Sequence, residues 1–178
     1  LRRAVAGMPR SAEAHYHLGL AEAQGGAPEL ARQTAKLIRS RRVGINTTRG
    51  FDHGAWTILR HLFPKADIPV FQLSIDFAQP PRFHYDLGRE LLPLRKEGVM
   101  IIGSGNIVHN LRLISWRQFG EEPFPWARKF DEQVIDALAR KDDDLLIRYD
   151  SRDKDVGFHA VPTNEHYLPL LYIAALRG

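Results

Sequence analysis

The chain has 178 residues, enough for one domain that buries a proper core. Hydrophobic residues make up 44% and charged residues 26%, an ordinary globular balance that excludes a low-complexity chain. The net charge of +4 is not gathered into a long basic block, so no nucleic-acid partner is expected, and the absence of cysteine excludes disulfide and thiolate chemistry.

Leu1 to Gly26 is rich in alanine and glycine and is read as a surface loop or a frayed helix. His15 and His17 within it form a pair that could chelate a metal, but no third ligand lies nearby in sequence. Pro28 opens a helix at its first turn, where its missing N–H costs nothing. Leu30, Ala31, Thr34, Leu37 and Ile38 continue it with helical spacing, and Arg39, Arg41 and Arg42 sit at its end, where cations favour the dipole. Val43 to Thr47 reads as a short strand. Asp52 is a good helix cap, and His53 falls near the start of a helix with an apolar face of Trp56, Leu59 and Leu62. His61 and His84 have no motif around them and are read as surface residues.

Val70 to Ile75 predicts a strand that ends on Asp76. Pro81 begins a helix through Phe83, Leu87, Leu91 and Leu94, which Pro93 should kink or split. Gly98 is a natural stop before Val99, Met100, Ile101 and Ile102. That run has no polar alternation and suits a strand buried on both faces. Gly103, Ser104 and Gly105 break it, and Asn106, His109 and Asn110 follow at its carboxyl end, where open α/β sheets bind ligands.

Pro123 to Ala139 predicts a helix with Trp126, Phe130, Val134 and Leu138 on one face, a stripe that suits core packing. Lys141 to Asp144 is a charged turn, and Arg148 to Phe158 is read as a loop. Thr163 caps a last helix in which Glu165 lies in the first turn. The apolar stretch Tyr167 to Leu176 contains Pro169 and falls short of the ~18 residues that span a bilayer, so no membrane association is expected. No signal peptide is visible, and a cytoplasmic location is expected. The alternation of strands and helices gives the fold class as α/β. We expect a single domain over residues 1–178, with a central mostly parallel or mixed sheet flanked by helices.

Three histidines stand in structured motifs: His53 in Gly50-Phe51-Asp52-His53-Gly54, His109 in Ser104-Gly105-Asn106-Ile107-Val108-His109-Asn110-Leu111, and His166 in Pro162-Thr163-Asn164-Glu165-His166-Tyr167-Leu168-Pro169-Leu170. Imidazole is the commonest protein metal ligand and titrates near neutral pH, so such residues can hold a metal, move protons, or both. Spacing alone does not show that the three meet.

Taken together, and with Asp67-Ile68-Pro69 and Gln72-Leu73-Ser74-Ile75-Asp76 between them, these motifs resemble the extradiol aromatic ring-opening dioxygenases of the 4,5-DOPA dioxygenase type, within the class III extradiol superfamily. The resemblance runs from about Gly26 to Gly178. It implies an Fe(II) or Zn(II) cofactor, a small catechol substrate and dioxygen, with His109 and His166 as metal ligands and His53 and His109 as catalytic residues. In related enzymes a glutamate near Glu165 or His166 is a ligand and the match to His109 is a base, so those two roles stay open. Two other classes also stay open: a non-catalytic member whose site a partner completes, and a zinc hydrolase.

The family's His-Gly-Ser-Pro and Ala-His-Trp motifs, which carry two more metal-binding histidines, do not occur in this sequence. The chain is therefore expected to be the central and C-terminal part of a longer catalytic domain, incomplete at both ends. On its own it should bind metal weakly and expose an unpaired sheet edge beside His109. The three histidines are expected to line one cleft. Adjacent helix residues point about 100° apart, so only one of Glu165 and His166, by preference His166, should face the metal.

Overall fold

A computed structural model of the chain describes residues 16–19, 27–46, 48–115, 122–151 and 154–177. The strands among them are β1 (Tyr16–Gly19), β2 (Val43–Asn46) and β3 (Gln72–Leu73). The helices are α1 (Pro28–Leu37), α2 (His53–Leu62), α3 (Pro81–Glu90), α4 (Leu92–Lys96), α5 (Pro125–Ala139), α6 (Asp143–Ile147), α7 (Lys154–Ala160) and α8 (Leu168–Ala175). The strands form a mixed sheet in the order β2-β1-β3. β1 pairs with β2 in parallel, from Tyr16 opposite Val43 to Gly19 opposite Asn46, and with β3 in antiparallel fashion, Leu18 opposite Leu73. α1 makes the crossover between the two parallel strands, the connection such a pair requires.

α8 is the centre of the packing. It buries Leu168, Pro169, Leu171, Tyr172, Ala174 and Ala175, so its apolar surface runs almost all the way round. One side of it joins a core with Phe130 and Val134 of α5, Leu146 and Ile147 of α6, and Val156 and Ala160 of α7. The other side joins a core with Ile38, Leu87, Leu91 and Leu94. His84 is wholly buried between the two, with Nδ1 2.9 Å from the Tyr172 hydroxyl and Nε2 3.0 Å from the Asp76 carbonyl. It is therefore a core residue and not the surface residue its sequence context suggests. Both ring nitrogens find partners, which makes burial of an imidazole affordable.

Several element boundaries differ from the sequence reading. Tyr16–Gly19 is the middle strand of the sheet and not loop or frayed helix, which places His17 in β1, while His15 lies outside the described residues. Of the strand expected from Val70 to Ile75 only Gln72 and Leu73 pair. Pro93 does split its helix, and α4 starts at Leu92 with that proline in its first turn. Gly98 takes φ +77°, the left-handed stop that frees the chain to turn. A helix, α7, occupies part of the expected loop from Arg148 to Phe158, because Val156 and Ala160 bury themselves beside Gly157 against the α5–α6 pair.

Val99 to Ile102 is the largest departure. The segment pairs with no strand among the described residues. Val99 and Ile101 pack into the core with Leu87 and Leu94, whereas Met100 is 73% and Ile102 44% exposed. The run thus buries one face only, although both its faces are apolar.

Candidate functional site

The residues just after that run tie three elements together. Ser104 Oγ donates to the Gly54 carbonyl at 2.6 Å, which anchors the first turn of α2 beside His53. The Asn106 amide donates to the His166 carbonyl at 2.8 Å, and the His109 amide to the Ala160 carbonyl at 2.8 Å. Asn110 Nδ2 donates to the His159 carbonyl at 2.8 Å. The approach is so close that only glycine fits at two points. A Cβ on Gly105 would lie 2.2 Å from the His166 carbonyl oxygen, and one on Gly103 would lie 2.7 Å from the Pro169 carbonyl oxygen. The glycines of this stretch therefore serve to bring the Glu165-His166 turn against the loop that carries His109.

The result is a cluster of imidazoles. The His109 and His166 rings stack with centroids 3.6 Å apart and planes 17° apart. The His53 ring lies 6.1 Å from that of His166, tilted by 47°. Glu165 completes the group: it, His109 and His166 each offer a ligand atom, all within 4.8 Å of one another. All three sequence-identified histidines meet, and so does the glutamate that was expected to point elsewhere. The helix rule fails here because Glu165 and His166 lie in a turn, and α8 begins only at Leu168. That turn is held by the Tyr167 and Leu168 amides, both donating to the Asn164 carbonyl at 2.9 Å. Glu165 is further fixed by the Thr163 hydroxyl at 2.9 Å.

Burial pushes the His166 pKa below its ordinary value, and the neighbouring His109 and His53 rings add to that fall, while Glu165 and Asp52 oppose it. A neutral imidazole with a free lone pair is the form that ligates a metal.

His53 is held from a different direction. It is the first residue of α2, and the Asp52 side chain caps that helix by accepting from the Ala55 amide at 2.9 Å. Gln72 of β3 grips the same cap twice: its carbonyl oxygen accepts from the Asp52 amide at 3.1 Å, and its side-chain amide donates to the Asp52 carboxylate. Ser104, Gly105 and Gln72 are positioning residues; the sequence placed them in its motifs but gave none of them this role. Their signal was membership of those motifs, Ser104 and Gly105 in that of His109 and Gln72 in the segment before Asp76. His61 is exposed on α2, and His159 bonds the Asp155 carbonyl within α7, so neither joins the cluster.

A cavity of about 350 Å³ opens beside the cluster, with His109 and Asn106 in its wall. Leu111, Ile114, Phe124 and Trp126 are among its apolar lining, and Asn110, Ser115 and Glu122 among its polar lining. Imidazole and carboxylate donors next to a largely apolar hollow suit a metal-assisted reaction on a small organic molecule.

Comparison with known proteins points the same way. Residues 7–175 match the sequence model of a family described as the catalytic LigB subunit of aromatic ring-opening dioxygenase. The chain is 42% identical over 152 residues to the 4,5-DOPA dioxygenase extradiol of Escherichia coli K12, covering 83% of this chain and 55% of that protein. It is 35% identical over 148 residues to the protein of the same description from Portulaca grandiflora, covering 82% of this chain and 54% of that one. The crystal structure of an uncharacterized Escherichia coli K12 protein superposes with a TM-score of 0.80 at 37% identity, over 91% of this chain and 70% of that one. The chain spans about half the length of the curated relatives it matches. Among the described residues no helix is long and apolar enough to cross a membrane.

Proposed function

Because the chain belongs to the family of catalytic LigB subunits of aromatic ring-opening dioxygenases, we propose that the whole protein opens the ring of a small, DOPA-like catechol with dioxygen at the His53–His109–His166 cluster. The observation that carries this reading is the convergence of two imidazoles and a carboxylate within 4.8 Å, with a third imidazole alongside. Imidazole and carboxylate groups are both donors to non-haem Fe(II), and zinc accepts the same atoms. His109 and His166 would hold the ion, with Glu165 beside them and the two further histidines of the family's motifs supplied by the rest of the protein. Such an ion supplies Lewis acidity toward the two catechol oxygens and, as Fe(II), redox chemistry toward dioxygen.

The chain's own residues do the rest. His53 stands at the end of α2 and faces the metal-ligating pair from the side, 6.1 Å from His166 between ring centroids. It accepts a catechol hydroxyl proton and returns it to the opened product. His109 borders both the donor group and the cavity, so its ring would touch substrate as well as metal. We read residues 1–178 as part of one catalytic domain, with the three strands belonging to a larger central sheet flanked by helices, and we place the protein in the cytoplasm.

The test is oxygen uptake by the whole protein, loaded with Fe(II) without air and then given a catechol. Uptake in step with formation of a ring-opened product is expected, and His109→Ala should abolish it. A protein that holds a full equivalent of metal and consumes oxygen with no catechol would instead be a non-catalytic member or a hydrolase.

A further inference from the structure

A DOPA-like substrate brings a carboxylate to the site on its side chain. The site already holds two carboxylates, Glu165 in the donor group and Asp52 next to His53. Like charges repel, so a substrate carboxylate needs a cation close by. Arg41, Arg82, Arg128, Arg140 and Arg177 are each paired with a carboxylate. Arg49 is not: it is exposed, and among the described residues its guanidinium has neither an ion pair nor a hydrogen bond.

The backbone of Arg49 is fixed from both sides. The chain leaves the parallel strand β2 at Asn46, at the strand's carboxyl end, where α/β folds bind their ligands. The Asn46 side-chain oxygen accepts from the Thr48 amide at 2.9 Å, from the Thr48 hydroxyl at 3.0 Å and from the Arg49 amide at 3.0 Å. These bonds hold Arg49 against the end of the strand. At the other end of the loop the Asp52 amide donates to the Gln72 side chain at 3.1 Å, and His53 opens α2. Only Gly50, Phe51 and Asp52 separate Arg49 from His53. Four residues span at most about 14 Å even when fully extended, so Arg49 is rooted on the His53 side of the cluster.

We propose that Arg49 is a specificity-determining residue that binds the side-chain carboxylate of the substrate, so that the protein selects amino-acid catechols over the corresponding amines. The inference rests on the reading of the histidine cluster as the place where a DOPA-like ring is bound, and it adds which residue reads the substituent of that ring. A guanidinium meets a carboxylate with two parallel N–H donors, which gives direction as well as charge. Asp52 does not compete for it, because its carboxylate accepts from the Ala55 amide and from the Gln72 side-chain amide. Arg112, three residues beyond His109, also has a free guanidinium among the described residues. Arg49 is preferred because it shares its loop with His53, which in that reading serves the substrate and not the metal.

The test measures binding and not turnover. DOPA and dopamine, which share the catechol and the ammonium and differ in the carboxylate, are titrated by calorimetry against the whole protein loaded with Zn(II), without air. The wild type should bind DOPA at least about tenfold more tightly than dopamine. Arg49→Gln should cut that ratio to about threefold or less, with dopamine affinity not reduced and metal content unchanged. Arg112→Gln should leave the ratio at the wild-type value. A wild-type ratio near one, a ratio unchanged in Arg49→Gln, a loss seen in Arg112→Gln instead, or dopamine binding that falls in parallel overturns the assignment. The dioxygenase reading fails separately: Arg49-dependent DOPA binding in a protein that, loaded with Fe(II), never takes up oxygen with any catechol leaves the carboxylate site standing and removes the reaction.

Discussion

α8 and α2 both deliver a histidine to the site, yet they are built on opposite terms. α8 follows directly on the turn that holds His166 and is buried on nearly every side. α2 starts at His53 and has no buried residue: Trp56 is 45%, Ile58 43% and Leu62 55% exposed. His166 is thus fixed by the core, whereas His53 is fixed by a handful of polar contacts, the Asp52 cap, Gln72 and Ser104. A metal ligand needs a rigid seat, since loss of geometry costs affinity directly. A group that does not ligate the metal carries no such direct penalty in metal affinity. The difference in support matches the difference in proposed role.

Mutations should expose that asymmetry. The largest effect is expected for Leu171→Ala, which empties a wholly buried position on α8 and should cost about 2–5 kcal/mol in denaturant unfolding. A loss under about 1 kcal/mol would mean that α8 is not the keystone. Next comes His84, whose pKa burial pushes below its ordinary value, partly offset by the Asp76 carbonyl, the Asp76 charge and Gln79. The folded state therefore binds this proton less readily than the unfolded state does. Stability from this group is complete above the unfolded value of 6.5 and is lost as pH falls from there toward the lowered folded pKa. Unfolding measured across that window should show the slope, and His84→Gln should flatten it. An unchanged slope would assign the acid sensitivity elsewhere.

Asp52→Ala should cost about 0.5–2 kcal/mol as a lost cap and release the α2 end. It should lower kcat of the loaded protein while metal content holds. Loss of metal in that variant would show that His53 and its helix are part of the ligand cage. The smallest change is expected for Leu62→Ala, on the exposed side of α2, within about 0.5 kcal/mol of wild type.

The meeting of the three histidines was more legible in the sequence than the sheet. Glycine and proline punctuation marked the segments of His53, His109 and His166, and the resemblance to the extradiol dioxygenases, not their spacing, joined the three into one expected cleft. Val99 to Ile102 misled, since an apolar run reports only that both faces are hydrophobic and not that both are covered. His84 was hidden for the converse reason. A polar residue on an apolar face is legible as core only when its partners are known, and the Tyr172 hydroxyl and Asp76 carbonyl come from distant elements. Glu165 was misplaced by applying helix geometry to a turn that precedes the helix.

The central claim is that His109 and His166 hold a metal while His53 serves it from outside. Titration of the whole protein with Zn(II), followed by calorimetry, tests this most directly. The wild type and His53→Ala should each bind one equivalent with similar affinity, while His109→Ala and His166→Ala should each bind at least about tenfold more weakly. Equal weakening in all three variants, or none in His166→Ala, would contradict the account.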